Sequence, residues 1–255
     1  AVDQHRNVYT TSHVGDRSFA VRKFDPEGKS LVPVKENLDF PAWGLAVDNK
    51  DNVYFTVPAK HIVWKAIPDA KDAKSTYTVR EFVSMWPTPK VVEPYGVAVD
   101  GKGNVYVADD RVLHKFDPYA KALPPVKEGP TTTPLHVTLD GPGNVYFTLG
   151  HAADKASPKP NSAEYNVETF VKGLNNTAGI AVDSTGQAYV ADFNSGKIHT
   201  HSSKGAQLSH VFRHPHGLAV DSSNNLYIAD AHGVSKACRL HIFVRHGASE
   251  QIAAE

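Results

Sequence analysis

The sequence contains very little sulfur and no excess of either charge. Of its 255 residues only Cys238 is a cysteine, so an intrachain disulfide and a cysteine-based zinc cluster are both excluded. The 27 basic and 27 acidic side chains balance. We therefore expect no nucleic-acid partner, because phosphate binding depends on an excess of Lys and Arg. No apolar run approaches the ~20 residues that a membrane helix needs, so no membrane span is expected.

The chain also lacks a methionine at its start. Its single methionine is Met85, and residue 1 is Ala1. This indicates a processed or trimmed end and favours a secreted or periplasmic location, although the sequence shows no signal peptide. Cys238 is expected to be a small buried apolar residue.

What the chain does contain is one phrase repeated six times. The best copy, GVAVDGKGNVYVAD, begins at Gly96, and a clipped copy, AVDQHRNVYTT, opens the chain. In every copy a tyrosine follows an aspartate by six residues. The aspartates are Asp3, Asp48, Asp100, Asp140, Asp183 and Asp221, and the tyrosines are Tyr9, Tyr54, Tyr106, Tyr146, Tyr189 and Tyr227. Six identical spacings indicate a repeat protein.

Each copy predicts four short strands. A buried β-branched strand comes first, then a turn rich in Gly, Asn, Asp and Ser, and then an alternating strand that carries the tyrosine. A third strand is predicted at Phe19–Phe24, at His61–Ile67 and at Val112–Phe116, and an outer strand at Thr78–Val83 and at Val167–Val171. In the fourth unit the Lys-, Pro- and Ser-rich stretch Asp154–Ser162 predicts an exposed loop in place of a third strand.

Four strands in a unit of about 40 residues are typical of a β-propeller blade. We therefore predict an all-β chain that forms a single six-bladed β-propeller domain, 1–255, of four-stranded antiparallel blades. The approximate blades are 1–40, 41–92, 93–133, 134–175, 176–214 and 215–255.

The repeated phrase, most clearly Pro94 to Asp109, resembles the NHL repeat over nearly the whole chain. This resemblance implies a β-propeller. It leaves function open, because one fold hosts many functions and NHL propellers include ligand sensors, protein and RNA binders, and lyases.

Propeller geometry predicts where a site lies. The residues before each inner strand and those after each second strand converge on one mouth of the central channel, which is the default site of such a fold. We expect ligand contacts there from Trp43, Tyr95, Asp110 and Phe193. The same positions are rich in histidine, and imidazole with carboxylate suits zinc or a similar divalent metal. The candidate metal ligands are His13, His136, His151, His216 and His232.

One branch with this repeat, the peptidyl-hydroxyglycine amidating lyases, implies a zinc held by Pro-His phrases. Only Pro215-His216 matches that phrase here. Trp43 stands at the second unit's position, and in the fourth unit His136 lies one position late. The branch's arginines fall near His13 and His151. The ligand set is thus incomplete.

Two functions remain open. The first is a binding module that presents its channel mouth to a small molecule, a peptide or a protein. The second is a metal-dependent lyase or hydrolase, in which the metal acts as a Lewis acid and a base such as Tyr95 or a free histidine moves a proton. The motif tyrosines are expected to be packing residues. Asp109, Asp192 and Asp230 are expected to bind loop backbone.

Overall fold

The computed structural model describes residues 1–15, 18–70, 76–84, 93–129, 133–201, 211–237 and 243–246. Met85 and Cys238 lie outside the described residues. Within these ranges the chain forms antiparallel β-sheets and a single 3₁₀ turn, Pro58–Lys60. The prediction of an all-β chain built from antiparallel sheets is confirmed. In the described part of the chain, no helix is long and apolar enough to cross a membrane.

The strands of the first three sheets follow the first three copies of the repeat. The first sheet has three strands, β1 (Val8–Gly15), β2 (Ser18–Phe24) and β3 (Lys35–Leu38). The second has four, β4 (Leu45–Val47), β5 (Val53–Val57), β6 (Ile62–Pro68) and β7 (Tyr77–Ser84). The third has β8 (Val97–Val99), β9 (Val105–Ala108), β10 (Leu113–Phe116) and β11 (Ala122–Lys127).

The remaining sheets follow the last three copies. The fourth comprises β12 (Val137–Leu139), β13 (Val145–Leu149), β14 (Ala152–Pro158) and β15 (Tyr165–Lys172). The fifth comprises β16 (Thr177–Val182), β17 (Ala188–Asp192) and β18 (Lys197–His201). The sixth comprises β19 (Gly217–Val220), β20 (Leu226–Asp230), β21 (Gly233–Ala237) and β22 (Phe243–His246).

The fourth sheet corrects one prediction. The stretch predicted as an exposed loop from Asp154 begins inside β14, which pairs along its length with β13 and β15. Asp154 is buried, and it receives a 2.9 Å hydrogen bond from Lys127 Nζ on the outer strand of the preceding sheet. The charged composition suggested a loop, but the charge is paired across two sheets, which local sequence does not reveal. Only residues 159–162, beyond the strand, form an exposed turn.

The motif aspartate organises the turn between the first two strands of each copy. In the third copy Asp100 Oδ1 accepts hydrogen bonds from the backbone N–H groups of Lys102 and Asn104, both at 2.9 Å. Its Oδ2 accepts hydrogen bonds from Asn104 Nδ2 at 2.7 Å and from Tyr106 Oη at 3.2 Å. The same bond from tyrosine to aspartate recurs in the other five copies. The six-residue spacing therefore encodes a buried hydrogen bond as well as packing.

A lysine covers most of these tyrosine rings. It lies opposite the tyrosine on the third strand, and its Nζ is between 4.9 and 5.5 Å from the ring centroid in five copies. The pairs are Tyr9 with Lys23, Tyr54 with Lys65, Tyr106 with Lys115, Tyr146 with Lys155, and Tyr227 with Lys236. This contact combines apolar burial of the lysine stem with cation–π attraction.

Successive sheets pack against each other at their first strands. Strand β4 neighbours β8, β8 neighbours β12, β12 neighbours β16, and β16 neighbours β19. The approach is close enough to require glycine at the start of a strand. A Cβ on Gly96 would lie 2.7 Å from the carbonyl oxygen of Leu135. The first strands therefore form an inner wall, and the residues that precede them lie at one end of it.

Candidate functional site

The residues that precede the first strands are held in place by the backbone of the second strands. The N–H of Trp43 donates to the carbonyl of Thr56 at 3.0 Å, that of Tyr95 to Ala108 at 2.8 Å, and that of His216 to Ala229 at 2.8 Å. The Leu135 N–H makes the same bond to Thr148, so in these four copies the side chain leaves the backbone at an equivalent point. These residues therefore lie around one end of the inner wall, which we call the mouth.

Five of the predicted site residues form one aromatic cluster at this mouth. The Trp43 ring centroid lies 5.5 Å from that of Tyr95 and 6.3 Å from that of His216. His216 in turn lies 5.4 Å from His136 and 6.0 Å from Phe193. His216 thus contacts three rings that come from three other copies of the repeat. We call Trp43, Tyr95, His136, Phe193 and His216 the mouth cluster.

His214 is an addition to this set. Its ring lies 4.7 Å from Phe193, and its backbone is in the left-handed region with φ 55°. The sequence His214-Pro215-His216 could have indicated that His214 lies near the site, since a histidine stands on each side of one proline.

The two imidazoles of the mouth cluster are neutral. Burial lowers the pKa of His136 to about 3, and the neighbouring His216 adds to this effect. His216 is exposed to the cavity described below, and its enclosure within the mouth lowers its pKa as well. Neutral imidazoles are able to accept a proton or a hydrogen bond from a bound molecule.

His136 occupies an unusual position in the repeat. The other complete copies have glycine there, at Gly44, Gly96, Gly179 and Gly217. The N–H of His136 donates to Thr148 Oγ1 at 3.2 Å. The neighbouring strand β16 has an irregular register between Thr177 and Ile180.

Tyr95 is protonated at neutral pH. Its pKa is raised to about 12, first by burial and then by its hydrogen bond to the Glu93 carboxylate. The phenol is therefore suited to donate a hydrogen bond, whereas the tyrosine base predicted for the enzyme would have to lose this proton. Asp110 is exposed nearby, and the Thr133 hydroxyl donates to its Oδ1 at 3.2 Å.

A cavity of about 650 Å³ opens beside the mouth cluster. Its wall includes Trp43, His136 and His216 from the cluster, and also His232. It continues between the first and the sixth sheets, where β1, β2, β19 and β20 contribute to the wall. A volume between about 300 and 1,000 Å³ is usual for a small-molecule site. Trp43 remains 45% exposed, so the mouth cluster offers an accessible aromatic surface.

The histidines predicted as metal ligands separate into two groups. His136 and His216 are in contact, and His232 lies on the same cavity wall. His151 instead pairs its Nδ1 with the Leu174 carbonyl at 3.0 Å, and His13 packs against Phe19 at 4.8 Å. Among the described residues, no group of three or more His, Cys, Asp or Glu side chains is arranged to hold a metal ion.

The set of three Pro-His ligands that the resemblance to the lyases implies is incomplete at this mouth. Trp43 occupies the place of one ligand, and an indole offers a metal no lone pair. A divalent metal bound by fewer histidines stays a prediction.

The aspartates after the second strands bind loop backbone, as predicted. Asp109 Oδ1 accepts the N–H groups of Arg111 and Val112 at 2.9 and 2.8 Å, and its Oδ2 pairs with His114. The N–H of Asn175 donates to Asp192 Oδ2 at 3.0 Å, and that of His232 to Asp230 Oδ1 at 2.8 Å. These carboxylates shape the loops around the mouth.

Comparison with known proteins agrees with this fold. Residues 212–243 match the NHL repeat. Over 150 residues the chain is 32% identical to the peptidyl-alpha-hydroxyglycine alpha-amidating lyase 1 of Drosophila melanogaster. That match takes in 58% of the chain but 28% of the relative's length, so the chain spans a minor part of that protein. The predicted resemblance to the NHL repeat and its lyase branch is confirmed.

Solved structures extend the comparison to nearly the whole chain. Virginiamycin B lyase from Staphylococcus aureus superposes with a TM-score of 0.64 at 16% identity, over 96% of this chain and 81% of that one. A gluconolactonase from Xanthomonas campestris superposes with a TM-score of 0.63 at 15% identity, over 80% of this chain and 75% of that one. At such low identity the likeness concerns the fold, which is a β-propeller carrying an NHL repeat.

Proposed function

We propose that this propeller is a binding module that takes up a small molecule, or the end of a peptide, at its mouth. The observation that carries the proposal is the mouth cluster, of which Trp43 and the two neutral imidazoles, His136 and His216, come from different sheets and meet on the wall of a cavity of about 650 Å³. The indole ring provides apolar area with little loss of conformational freedom, and the imidazoles supply a few directed hydrogen bonds. This combination suits a ligand that carries an aromatic or aliphatic group.

The architecture that we propose for this module is a closed ring of six blades with the boundaries given above. Six sheets, one for each copy of the repeat, and the chain of contacts between their first strands support it. The cavity shared by the first and sixth sheets lies where the ring would close.

Titration calorimetry with the neutral probe 4-phenylbutyramide tests the binding proposal. We expect saturable binding to the native chain, weakened at least about tenfold in Trp43→Ala, because loss of one aromatic contact is worth about 1.4 kcal/mol. Tyr119→Ala is the matched control, since Tyr119 is 90% exposed and lies outside the cavity wall. Absence of saturable heat, or equal weakening in the two variants, would refute the proposal.

A second candidate, a lyase, is favoured by the neutral pair of His136 and His216. The named relatives include lyases, one of which acts on a peptidyl-alpha-hydroxyglycine. On such a substrate His216 would accept the proton of the α-hydroxyl. The C–N bond would then break, the amide nitrogen would take up a proton, and glyoxylate and a peptide amide would leave. Each atom of the substrate is retained in these two products.

Benzoyl-α-hydroxyglycine is the test substrate for this candidate. An active chain would release benzamide and glyoxylate in equal amounts, with the rate lowered about 10²-fold or more in His216→Ala. Elemental analysis of the purified chain addresses the predicted metal separately. Close to one transition metal per chain, lost in His216→Ala, would support it. No glyoxylate release above the uncatalysed rate would exclude this lyase.

A further inference from the structure

At one position of the repeat the first sheet presents a polar residue to the cavity, whereas the other five sheets have a buried apolar residue at that position. The residue that follows the motif tyrosine is Thr10 in the first copy, and it is half-buried on the cavity wall. In the other five copies this residue is large, apolar and fully buried: Phe55, Val107, Phe147, Val190 and Ile228. Substitution of this position exposes polar groups at the boundary between the first and sixth sheets.

Arg22 is the charged group on this face. It pairs directly with Thr10 in the register of β1 and β2, so the two side chains stand on the same face of the sheet. Arg22 is half-buried, and it lines the cavity together with Thr10. In the described part of the chain it forms no ion pair with a carboxylate. Among the described residues its guanidinium thus lies in the cavity wall with no carboxylate within ion-pair distance.

A second polar group of the first sheet, Ser12 on β1, is also unpartnered. The Ser12 hydroxyl oxygen is buried and has no hydrogen-bond partner among the described residues, and Ser12 belongs to the cavity wall. A buried hydroxyl without a partner costs free energy, which a bound acceptor would recover.

The two carboxylates on the same wall are already engaged. Asp25 Oδ1 accepts the N–H groups of Glu27 and Lys29 at 3.1 and 2.7 Å. Asp230 Oδ1 accepts the N–H of His232 at 2.8 Å. Both carboxylates are thus hydrogen-bonded within their own loops and form no ion pair with Arg22, and the Ala1 amino group on the same wall donates to the Tyr9 carbonyl. Arg22 is therefore the cation of this wall that a ligand can pair with.

We propose that the cavity binds a small amphipathic carboxylic acid, with its carboxylate on Arg22 and Ser12 and its apolar part toward the mouth cluster. This inference rests on the proposed binding function, because both concern one cavity. Guanidinium and carboxylate match in a planar two-bond geometry, which makes arginine the usual partner of this group. A single guanidinium balances a charge of −1, whereas a phosphate monoester carries close to −2. The walls around Arg22, which include Phe24 and Leu218, suit a hydrocarbon or phenyl group.

The test compares 4-phenylbutyrate with its amide, 4-phenylbutyramide, by titration calorimetry on the whole chain. The two probes share the phenyl group and differ in the charge. We expect the native chain to bind the acid about tenfold more tightly than the amide, which corresponds to one charge-assisted contact. In Arg22→Gln the acid should bind no better than the amide, while affinity for the amide is unchanged. Arg22→Lys should keep part of the preference.

Arg80→Gln is the matched control, because Arg80 is an exposed arginine outside the cavity wall. Equal affinities of acid and amide for the native chain would overturn this inference and leave the proposed function standing, and so would equal losses in Arg22→Gln and Arg80→Gln. Failure of both probes to bind would overturn the proposed function and this inference together. Stronger binding of phenyl phosphate than of 4-phenylbutyrate would overturn the choice of a carboxylate. A thermal melt of Arg22→Gln that matches the native chain ensures that lost affinity reflects the lost guanidinium.

Discussion

The two ends of each sheet differ in how strictly they follow the repeat. At the turn end, the aspartate and the tyrosine recur in all six copies and form the same hydrogen bond. At the mouth end, the residue five positions before the motif aspartate is different in every complete copy: Trp43, Tyr95, Leu135, Ala178 and His216. The turn end is built for stability, and the mouth end is where side chains are free to serve a ligand.

This division explains why the repeat alone says little about function. A residue that recurs in every copy has a structural role common to all sheets, such as accepting the backbone N–H groups of a turn. A residue that departs from the repeat, such as His136 in place of glycine, has a role at one position in the molecule only. If the two ends differ in this way, substitutions at the turn end and protonation at the mouth should lower the free energy of unfolding by different amounts.

Loss of a motif aspartate should have the largest effect. Asp100→Ala removes four hydrogen bonds and leaves the Tyr106 hydroxyl and two backbone N–H groups without their acceptor. We expect the free energy of unfolding to fall by about 3 kcal/mol, measured by urea denaturation. Affinity for 4-phenylbutyramide should persist at temperatures where the variant is folded.

Asp117→Ala is the control for this variant. Asp117 accepts the backbone N–H groups of Tyr119 and Lys121 in an exposed turn, and among the described residues no tyrosine hydroxyl donates to it. If the two variants lost equal stability, the buried network at the turn end would not have the role assigned to it.

Acid should destabilise the fold through His136. The pKa of His136 in the folded chain, about 3, is below the ordinary histidine value of 6.5, so the unfolded chain takes up the proton more readily. The contribution of a neutral His136 is therefore full above pH 6.5 and is lost as the pH falls from 6.5 toward 3. Between pH 6 and pH 4 the native chain should lose about 1 kcal/mol per pH unit more than His136→Gln.

Urea denaturation of the two proteins at several pH values measures this difference. His5→Gln provides the comparison, because the His5 side chain is 63% exposed. Parallel pH profiles for the native chain and His136→Gln would show that His136 does not resist protonation.

Removal of a single tyrosine hydroxyl should have the smallest effect. Tyr106→Phe keeps the buried ring and its contact with Lys115 but removes the bond to Asp100. We expect a loss of about 1 kcal/mol in the free energy of unfolding. Tyr119→Phe, on a side chain that is 90% exposed, should change nothing measurable. A null effect of Tyr106→Phe would leave packing as the whole role of this tyrosine.

The sequence predicted the regular part of the molecule better than the mouth. Strand-turn-strand units followed from local pattern, because the spacing of Asp100 and Tyr106 reflects contacts within a few residues. The same spacing could also have predicted the hydrogen bond between the Asp100 carboxylate and the Tyr106 hydroxyl. The strand through Asp154 was missed because Lys127, its partner, comes from another sheet. That Arg22 and Thr10 line the cavity depends on how the first and sixth sheets pack together, and a local sequence pattern does not encode this packing.

A crystal structure of the chain with 4-phenylbutyramide bound tests the central claim most directly. We expect density for the probe at the mouth, with its phenyl ring against Trp43 and its amide within hydrogen-bond reach of His216 or His136. Density for the probe elsewhere on the chain, with the mouth cluster empty at a saturating concentration, would contradict the account.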